Sequence, residues 1–236
     1  LLFLARVRSV KPTAANESPT LKSLIDGLKY ATSRKDLIGT YLIDLAAMFW
    51  AMPTALFPFW ADQLNARWAL GLFYAAGTIG SIVVTLTSGW IRNYPHHGRA
   101  ITLAALGWGA AIALAGFTDS LFWTLFFLAL AGASDMVSAL FRGLIWNQSI
   151  ADEYRGRLAG IELLSYSVGP LGGQMRAGTM AAWSSLRTSV ISGGLICMAF
   201  VGFFASILPQ FRKYDSRNNE FAVREREKRG ENQSDG

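Results

Sequence analysis

The sequence predicts an all-α, polytopic helical membrane protein. Hydrophobic residues make up 52% of the 236-residue chain and charged residues only 16%, a balance that is unusual for a soluble protein of this length. The apolar residues also gather into six blocks of roughly 18 to 27 residues, each long enough to cross a hydrocarbon core about 30 Å thick. A bundle of six transmembrane helices therefore accounts for both the composition and its distribution along the chain.

The six predicted spans follow one another with short polar connections. The apolar blocks place the spans at residues 37–60, 68–91, 100–117, 120–146, 158–183 and 188–208, with a polar turn at 147–154 between the fourth and the fifth. Most of the eight tryptophans fall near the ends of these spans, where indole rings favour the headgroup region of a bilayer. The tryptophan positions therefore support the predicted boundaries.

The segments outside the bundle are polar or short. Residues 1–8 place an apolar stretch before basic residues, the reverse of the order in a secretory signal, so we expect the remnant of a preceding span and a chain that is a fragment. Residues 9–36 read as a cytoplasmic linker with an amphipathic helix on the membrane surface, or alternatively as a solvated connector packed on the helix ends. The charged segment 209–236 is expected to be a mobile cytoplasmic tail with a short helix around 220–229.

The basic residues predict the orientation of the chain. With the spans as assigned, nineteen of the 22 Lys and Arg residues lie on one side of the membrane, whereas the other side carries Arg67 and Arg187 and one more, Arg176, lies inside a span. Loops rich in Lys and Arg stay in the cytoplasm. Both ends of the chain are therefore predicted to be cytoplasmic.

The sequence offers little for catalysis, for metal binding or for the use of ATP. The single cysteine, Cys197, lies inside an apolar block and can form no intrachain disulfide. His96 and His97 are adjacent in a polar loop, a spacing at which two side chains rarely converge on one metal. The chain also lacks a phosphate-binding loop of the G-x-x-x-x-G-K-S type. We expect no catalytic residue, no metal, no cofactor and no nucleic-acid partner.

Charged residues inside the apolar blocks are the main candidates for function. An ionisable side chain at the middle of a bilayer costs about 2.5–3.5 kcal/mol even on a lenient scale, so it usually faces the bundle interior or a water-filled cavity. Helical rise places Asp135 near the midplane and Arg142 about 13 Å toward the cytoplasm. Arg142 is then a possible partner of Asp44 or Glu162, whereas Asp135 has no partner at its own level.

Two polar helix faces are predicted on the fourth and fifth spans. Asp135, Ser138, Arg142 and Trp146 share one face of the fourth span. A straight fifth helix would place Glu162, Tyr166, Gly169, Gly173 and Arg176 on one face. Two such faces could line one cavity that carries substrate and protons. Interhelical salt bridges that serve packing and insertion are the alternative. A midplane carboxylate such as Asp135 can exchange a proton with water and is the better candidate for proton coupling.

The fifth span contains a predicted bend. Gly169 is followed by Pro170, and proline removes a hydrogen bond of the helix and clashes with the preceding turn. A bend here would suit a moving helix, although static helices bend in the same way.

The sequence resembles the C-terminal half of a major facilitator superfamily exporter, and within it the branch of enterobactin, siderophore and macrolide efflux proteins. The resemblance rests on the six spans with cytoplasmic ends, a basic linker before them, and two loops. The run Asp152-Glu153-Tyr154-Arg155-Gly156-Arg157 enters the fifth span. Gly89, Arg92 and Arg99 form a reduced copy, without its Asp, of the cytoplasmic Gly, Asp, Arg, Gly, Arg signature.

This resemblance implies a fold, a function and a location. The fold would be one half of a twelve-span protein, with a substrate cavity between this six-helix bundle and a missing N-terminal six-span half. The function would be proton-coupled efflux by antiport of a siderophore or drug-like molecule across the bacterial cytoplasmic membrane, with the two loops as gating motifs. Arg176 and the aromatic residues could suit an anionic aromatic substrate.

Three other functions stay in view. Uptake or facilitated passage of another substrate would use the same fold. A permease domain of an ATP-driven transporter would want a long cytoplasmic coupling helix, which the short loops disfavour. An intramembrane serine protease would need a histidine base at membrane depth, and both histidines lie in a loop.

Overall fold

The structure, a computed structural model, is a bundle of long helices, and no strand occurs among the residues that it describes. It describes residue 25 and residues 29–234, without the side chains of residues 152, 153, 155–157, 160, 161, 163–165 and 228–234. The predicted remnant at 1–8 and most of the linker at 9–36 lie outside the described residues. The all-α fold class predicted from the sequence is confirmed.

The helices follow one another with short connections. They are α1 (Lys35–Ala51), α2 (Phe57–Gln63), α3 (Leu70–Leu86), α4 (His97–Phe117), α5 (Leu121–Ser149), α6 (Asp152–Trp183), α7 (Leu186–Ile207), α8 (Pro209–Arg212) and α9 (Glu220–Ser234). Short 3₁₀ turns occupy Thr54–Leu56, Arg67–Ala69 and Ser88–Asn93.

Two predicted boundaries differ from the structure. The first span is not one helix, because Met52 adopts an extended conformation before Pro53 and ends α1 at Ala51, as expected for a residue that precedes proline. The polar turn predicted at 147–154 is shorter, since α5 continues to Ser149 and α6 begins at Asp152. Polar side chains at the end of a helix can face solvent while their backbone stays helical. A prediction from polarity alone therefore overestimated the length of the turn.

Five segments of the described chain are long and apolar enough to cross a membrane. They are Lys35–Gln63, Arg67–Leu86, His97–Phe117, Leu121–Ser149 and Leu186–Ile207. The remaining long helix, α6, has 32 residues and a length of about 48 Å, but its sequence is more polar. It packs along α1 and α7. The chain is therefore a multi-pass helical membrane protein.

The packing of the long helices repeats in the two halves of the bundle. Helix α3 packs on α5 as α6 packs on α1, and α4 packs on α5 as α7 packs on α1, while α4 and α7 pack on each other. If α1 is exchanged with α5, α3 with α6 and α4 with α7, the same set of helix contacts results. The arrangement is consistent with a pair of three-helix repeats and with half of a major facilitator fold.

Glycines allow the helix backbones to approach closely. A Cβ atom on Gly132 of α5 would collide with the backbone of Gly77 on α3, and one on Gly80 would collide with Ala129. A Cβ on Gly109 of α4 would lie 2.9 Å from the carbonyl oxygen of Gly194 on α7. Small residues are the usual means of close helix contact in lipid, so these glycines set the distances from α3 to α5 and from α4 to α7.

The segment after α7 is packed against the bundle rather than free. Phe211 and Tyr214 are buried, and burial raises the pKa of the Tyr214 phenol. The amide of Ser216 donates to the carbonyl oxygen of Pro95 at 3.1 Å, which joins this segment to the loop before α4. The first part of the segment 209–236 is therefore not the mobile tail that the sequence predicted, because its buried apolar side chains anchor it to the bundle. The short helix expected around 220–229 is present as α9.

Arg34 connects the entry of α1 to α5 and α9. Its guanidinium group pairs with Asp36 at 2.6 Å and donates to the carbonyl oxygen of Ser149 at 3.0 Å. The Phe221 ring of α9 lies over the same group, 3.5 Å from its central carbon to the ring centroid. With 4% exposure, Arg34 is a buried cation whose charge and hydrogen bonds are satisfied, which is the condition for tolerating such burial.

Candidate functional site

Polar side chains of α1, α5 and α6 meet between the helices. Four predicted site residues line a small cavity of about 10 Å³ there, namely Asp44, Arg142, Glu162 and Tyr166, together with Thr40, Tyr41 and Trp146. A cavity of this size is at the lower limit for one water molecule. We refer to Asp44, Asp135, Arg142, Glu162 and Tyr166 as the ionic cluster.

The central contact of the ionic cluster is an ion pair between Arg142 of α5 and Asp44 of α1. The pair joins Arg142 Nη1 to Asp44 Oδ1, and the two side chains are only 9% and 7% exposed. Of the two partners that the sequence proposed for Arg142, the structure selects Asp44. Removal of one member of such a buried pair strands a charge and typically costs about 3–5 kcal/mol.

Asp135 lies beside the same guanidinium group. Its Oδ1 atom is 4.0 Å from Arg142 Nη2, and its side chain is 38% exposed. The sequence placed Asp135 without a partner at its level; the long arginine side chain, two turns away on α5, spans that difference in depth. Arg142 thus contacts two carboxylates, one buried and one half-exposed.

Glu162 and Tyr166 contribute from α6. The Tyr166 hydroxyl donates to Glu162 Oε1 at 3.0 Å, as expected for residues one turn apart on a helix. The Tyr166 ring centroid is 6.0 Å from the central carbon of the Arg142 guanidinium group, within the range of a cation–π contact. The polar face predicted on the fourth span therefore meets the Glu162 and Tyr166 part of the face predicted on the fifth span.

Three further residues line this site, and sequence reasoning missed two of them, Thr40 and Tyr41. The Trp146 Nε1 atom donates to Thr40 Oγ1 at 3.2 Å, and the ring of Trp146 packs on Tyr41 with centroids 4.9 Å apart. Trp146 was interpreted as an interfacial tryptophan because it lies near a span end, although its spacing of four residues from Arg142 also placed it on the polar face of the fourth span.

The site also contains polar atoms that lack a partner. Among the described residues, neither Arg142 Nε nor the Tyr41 hydroxyl has a hydrogen-bond partner, although both are buried. An unmatched buried polar atom costs about 1–3 kcal/mol. The cluster therefore holds unused hydrogen-bonding capacity next to its charges.

Arg176 lies apart from the ionic cluster. It is about 21 Å along α6 from Glu162 by helical rise. Its Nη1 atom donates to the carbonyl oxygen of Ser189 at 3.4 Å and approaches Met180 Sδ at 3.7 Å, and no carboxylate pairs with it among the described residues. The structure thus does not bring Arg176 into the cavity that the sequence proposed.

The residues of the two loop motifs are only partly described. Gly89 and Arg92 lie in the 3₁₀ turn between α3 and α4, Arg99 lies in the first turn of α4, and all three are exposed. Asp152, Glu153, Arg155, Gly156 and Arg157 form the first turns of α6, and their side chains lie outside the described part of the structure. The gating role of both loops stays a prediction.

The helix that carries Glu162 and Tyr166 continues through Gly169 and Pro170 without a break. Gly169 packs on α1, where an added Cβ would lie 3.2 Å from Leu45 and from Met48. The pair therefore lies at a helix contact, and the bend expected there stays a prediction.

The ionic cluster contains more acidic than basic groups. Two carboxyl groups, those of Asp44 and Asp135, lie within 4.0 Å of the Arg142 guanidinium group, and the Glu162 carboxyl group lines the same cavity as Arg142. One guanidinium group cannot neutralise all three carboxylates. No group of three His, Cys, Asp or Glu side chains that could hold a metal occurs in the described residues. Ionisable groups at membrane depth most often mark proton or substrate pathways.

Fold and site together define a class: multi-pass helical membrane proteins with an ionic cluster between their helices. Within that class, the chain is similar to proteins named Enterobactin exporter EntS from Escherichia coli O81 (strain ED1a), Escherichia coli O1:K1 / APEC and Shigella boydii serotype 18 (strain CDC 3083-94 / BS512). The identity to each is 24% over 216 residues, which is 91% of this chain and 52% of the relative.

The chain therefore spans about half the length of the curated relatives it matches. Their names confirm the expected resemblance to exporters and describe transport rather than catalysis. No protein-family model matches the chain, and no solved structure matches it.

Proposed function

We propose that this chain is the C-terminal six-helix half of a major facilitator exporter and that the complete protein couples proton entry to the efflux of a siderophore or drug-like molecule. The observation that carries the proposal is the Arg142–Asp44 ion pair with Asp135 beside it, inside helices of membrane length. The similarity to enterobactin exporters over half their length supports the same function. The complete protein would lie in the bacterial cytoplasmic membrane with both ends of this chain in the cytoplasm.

The proposed coupling acts through the charge balance around Arg142. With Asp44 and Asp135 both ionised, the guanidinium group is attracted to a carboxylate of its own helix and to one of α1. Protonation of Asp135 leaves Asp44 as the single ionised partner in that pair, which strengthens the contact between α5 and α1. When Asp135 loses the proton, its carboxylate again competes with Asp44 for the Arg142 guanidinium group. A proton can therefore bias the packing of two neighbouring helices of this bundle, and in the proposed mechanism that bias is transmitted to the movement of this bundle against the other half of the protein.

Transport by the full-length protein tests this proposal. We expect efflux of a fluorescent drug-like substrate from proteoliposomes to require a proton gradient in the wild type. The Asp135→Asn variant should retain its fold while losing most gradient-dependent efflux, because the amide keeps the shape of the side chain and cannot exchange a proton.

The Asp119→Asn variant is the matched control. Asp119 lies in the exposed connection between α4 and α5, where its partner is Arg187 at 3.2 Å, and the change should leave efflux unaltered. Efflux that ignores the gradient in the wild type would overturn proton coupling. Gradient-dependent efflux that survives in Asp135→Asn would remove Asp135 from the coupling pathway and leave Asp44 and Glu162 to be tested in the same way.

A further inference from the structure

A second cavity opens between α3, α4 and α5, on the other side of Asp135. Its volume is about 290 Å³, close to the lower end of small-molecule sites. Four aromatic residues contribute to its wall, namely Phe57, Phe73, Tyr74 and Trp108. We refer to this space as the aromatic cavity.

Asp135 is the charged residue of this wall. The other lining residues are apolar or neutral, among them Met52, Thr54, Thr78, Ser81 and Leu128. The nearest described cation, Arg142, contacts Asp135 at 4.0 Å but lies outside the aromatic cavity and is paired with Asp44. The charge of Arg142 is thus largely compensated by Asp44. The aromatic cavity therefore has one carboxylate and four aromatic residues in its wall.

The wall also carries buried donors without partners. Trp108 Nε1 and Thr54 Oγ1 are buried and have no hydrogen-bond partner among the described residues. Both residues line the aromatic cavity. A ligand with an acceptor group would recover part of the desolvation cost that these atoms bear.

We propose that the aromatic cavity is the substrate site of this half and that it selects an aromatic organic cation, rather than the anionic aromatic substrate that Arg176 suggested. A cation gains from the Asp135 carboxylate and from the aromatic faces, whereas an anion meets like charge and no compensating cation in the wall. Arg176 cannot serve this site, because it lies on α6 among Met180 and Ser189 and not in the cavity wall. The inference rests on the proposed function, since it names the substrate class of that exporter.

The site shares Asp135 with the ionic cluster. A bound cation would therefore occupy the same carboxylate that a proton or Arg142 would otherwise satisfy. Substrate and proton then compete for one group, which is the simplest physical basis of exchange. The competition links the aromatic cavity to the Arg142–Asp44 pair through a single side chain of α5.

Equilibrium binding to the purified full-length protein in detergent, without any gradient, tests the site separately from transport. Tetraphenylphosphonium and tetraphenylborate have nearly the same size and shape but opposite charge. We expect saturable, competable binding of the cation and none of the anion. In Asp135→Asn the affinity for the cation should fall at least about tenfold. The control Asp119→Asn should bind the cation as the wild type does.

A second variant tests the site in case Asp135→Asn disturbs the fold. Tyr74 is 52% exposed, so Tyr74→Leu should leave the fold intact while removing one aromatic face, and we expect a loss of affinity for the cation of about threefold. Equal binding of both ions, or unchanged cation affinity in both Asp135→Asn and Tyr74→Leu, would overturn the proposed site. Cation binding that follows these expectations, in a protein whose efflux ignores the proton gradient, would uphold the site while the coupling proposal fails.

Discussion

The ionic cluster and the aromatic cavity lie on opposite sides of Asp135 and differ in how their groups are satisfied. In the ionic cluster, charges engage one another around a cavity of about 10 Å³, which leaves little room for a ligand. In the aromatic cavity, a volume of about 290 Å³ lies between walls that carry one carboxylate and unpartnered donors. The comparison teaches that one helix, α5, can hold the bundle together on one face and leave another face open for a ligand.

The largest expected effect comes from breaking the ionic cluster. Arg142→Ala leaves Asp44 buried without its cation, and we expect the free energy of unfolding to fall by about 3–5 kcal/mol. Thermal unfolding of the purified protein in detergent, followed by tryptophan fluorescence, measures the change as a lowered Tm.

The double variant Asp44→Asn with Arg142→Gln distinguishes the cost of an unpaired buried charge from the cost of lost packing. Because both charges are removed, we expect a smaller loss than in Arg142→Ala alone. A double variant that is less stable than either single variant would contradict the view that the pair is a compensated buried contact.

The next effect concerns the close backbone approach beneath the aromatic cavity. An added methyl group at Gly132 would collide with Gly77 across the α3–α5 contact, so Gly132→Ala should cost about 1–3 kcal/mol of stability and weaken cation binding. Gly143 on the same helix has nothing within 4 Å of an added Cβ.

Gly143→Ala is accordingly the matched control for Gly132→Ala. We expect it to stabilise the protein by about 0.5–1 kcal/mol, because alanine has the higher helix propensity. Opposite shifts in Tm for the two variants would confirm that the α3–α5 contact limits the size of residue 132. An increase in Tm for both variants would show that helix propensity, and not the contact with Gly77, dominates at residue 132.

The smallest expected effect lies at the exposed edge of the ionic cluster. Tyr166→Phe removes the hydroxyl that donates to Glu162 at 3.0 Å and keeps the ring beside Arg142. Because Tyr166 is 48% exposed, we expect a loss near the lower end of a hydrogen bond's net contribution, about 0.5 kcal/mol. Combining the change with Glu162→Gln in a double-mutant cycle measures the coupling, and a coupling of zero would contradict this contact.

Much of the fold followed from the sequence because apolar length is a local property. The long helices lie near the predicted spans, and the interruption at Pro53 could have been predicted from the conformational limit on Met52. Local sequence also identified the candidate residues Asp44, Arg142, Glu162 and Tyr166. A charged residue within an apolar block can be recognised without knowledge of its partner.

The contacts between these residues could not be predicted. Whether Arg142 pairs with Asp44 or Glu162 depends on how far α5 is rotated and shifted against α1 and α6, and glycine contacts such as Gly132 with Gly77 and Gly173 with Met48 help to set such positions. The aromatic cavity likewise exists only once α3, α4 and α5 are placed together. The sequence periodicity of a single helix does not determine how that helix packs against its neighbours, so it predicts neither the partner of Arg142 nor the aromatic cavity.

The buried contacts of Arg34 connect the far end of the chain to the helix that carries Arg142. Its guanidinium group bonds the carbonyl oxygen of Ser149 at the end of α5 and lies under the Phe221 ring of α9. The end of α5 therefore cannot tilt away from the entry of α1 without breaking a charge-assisted hydrogen bond or drawing Arg34 away from the Phe221 ring. A fusion partner or a truncation near α9 would consequently alter the mechanical freedom of α5, although neither touches the ions within the membrane.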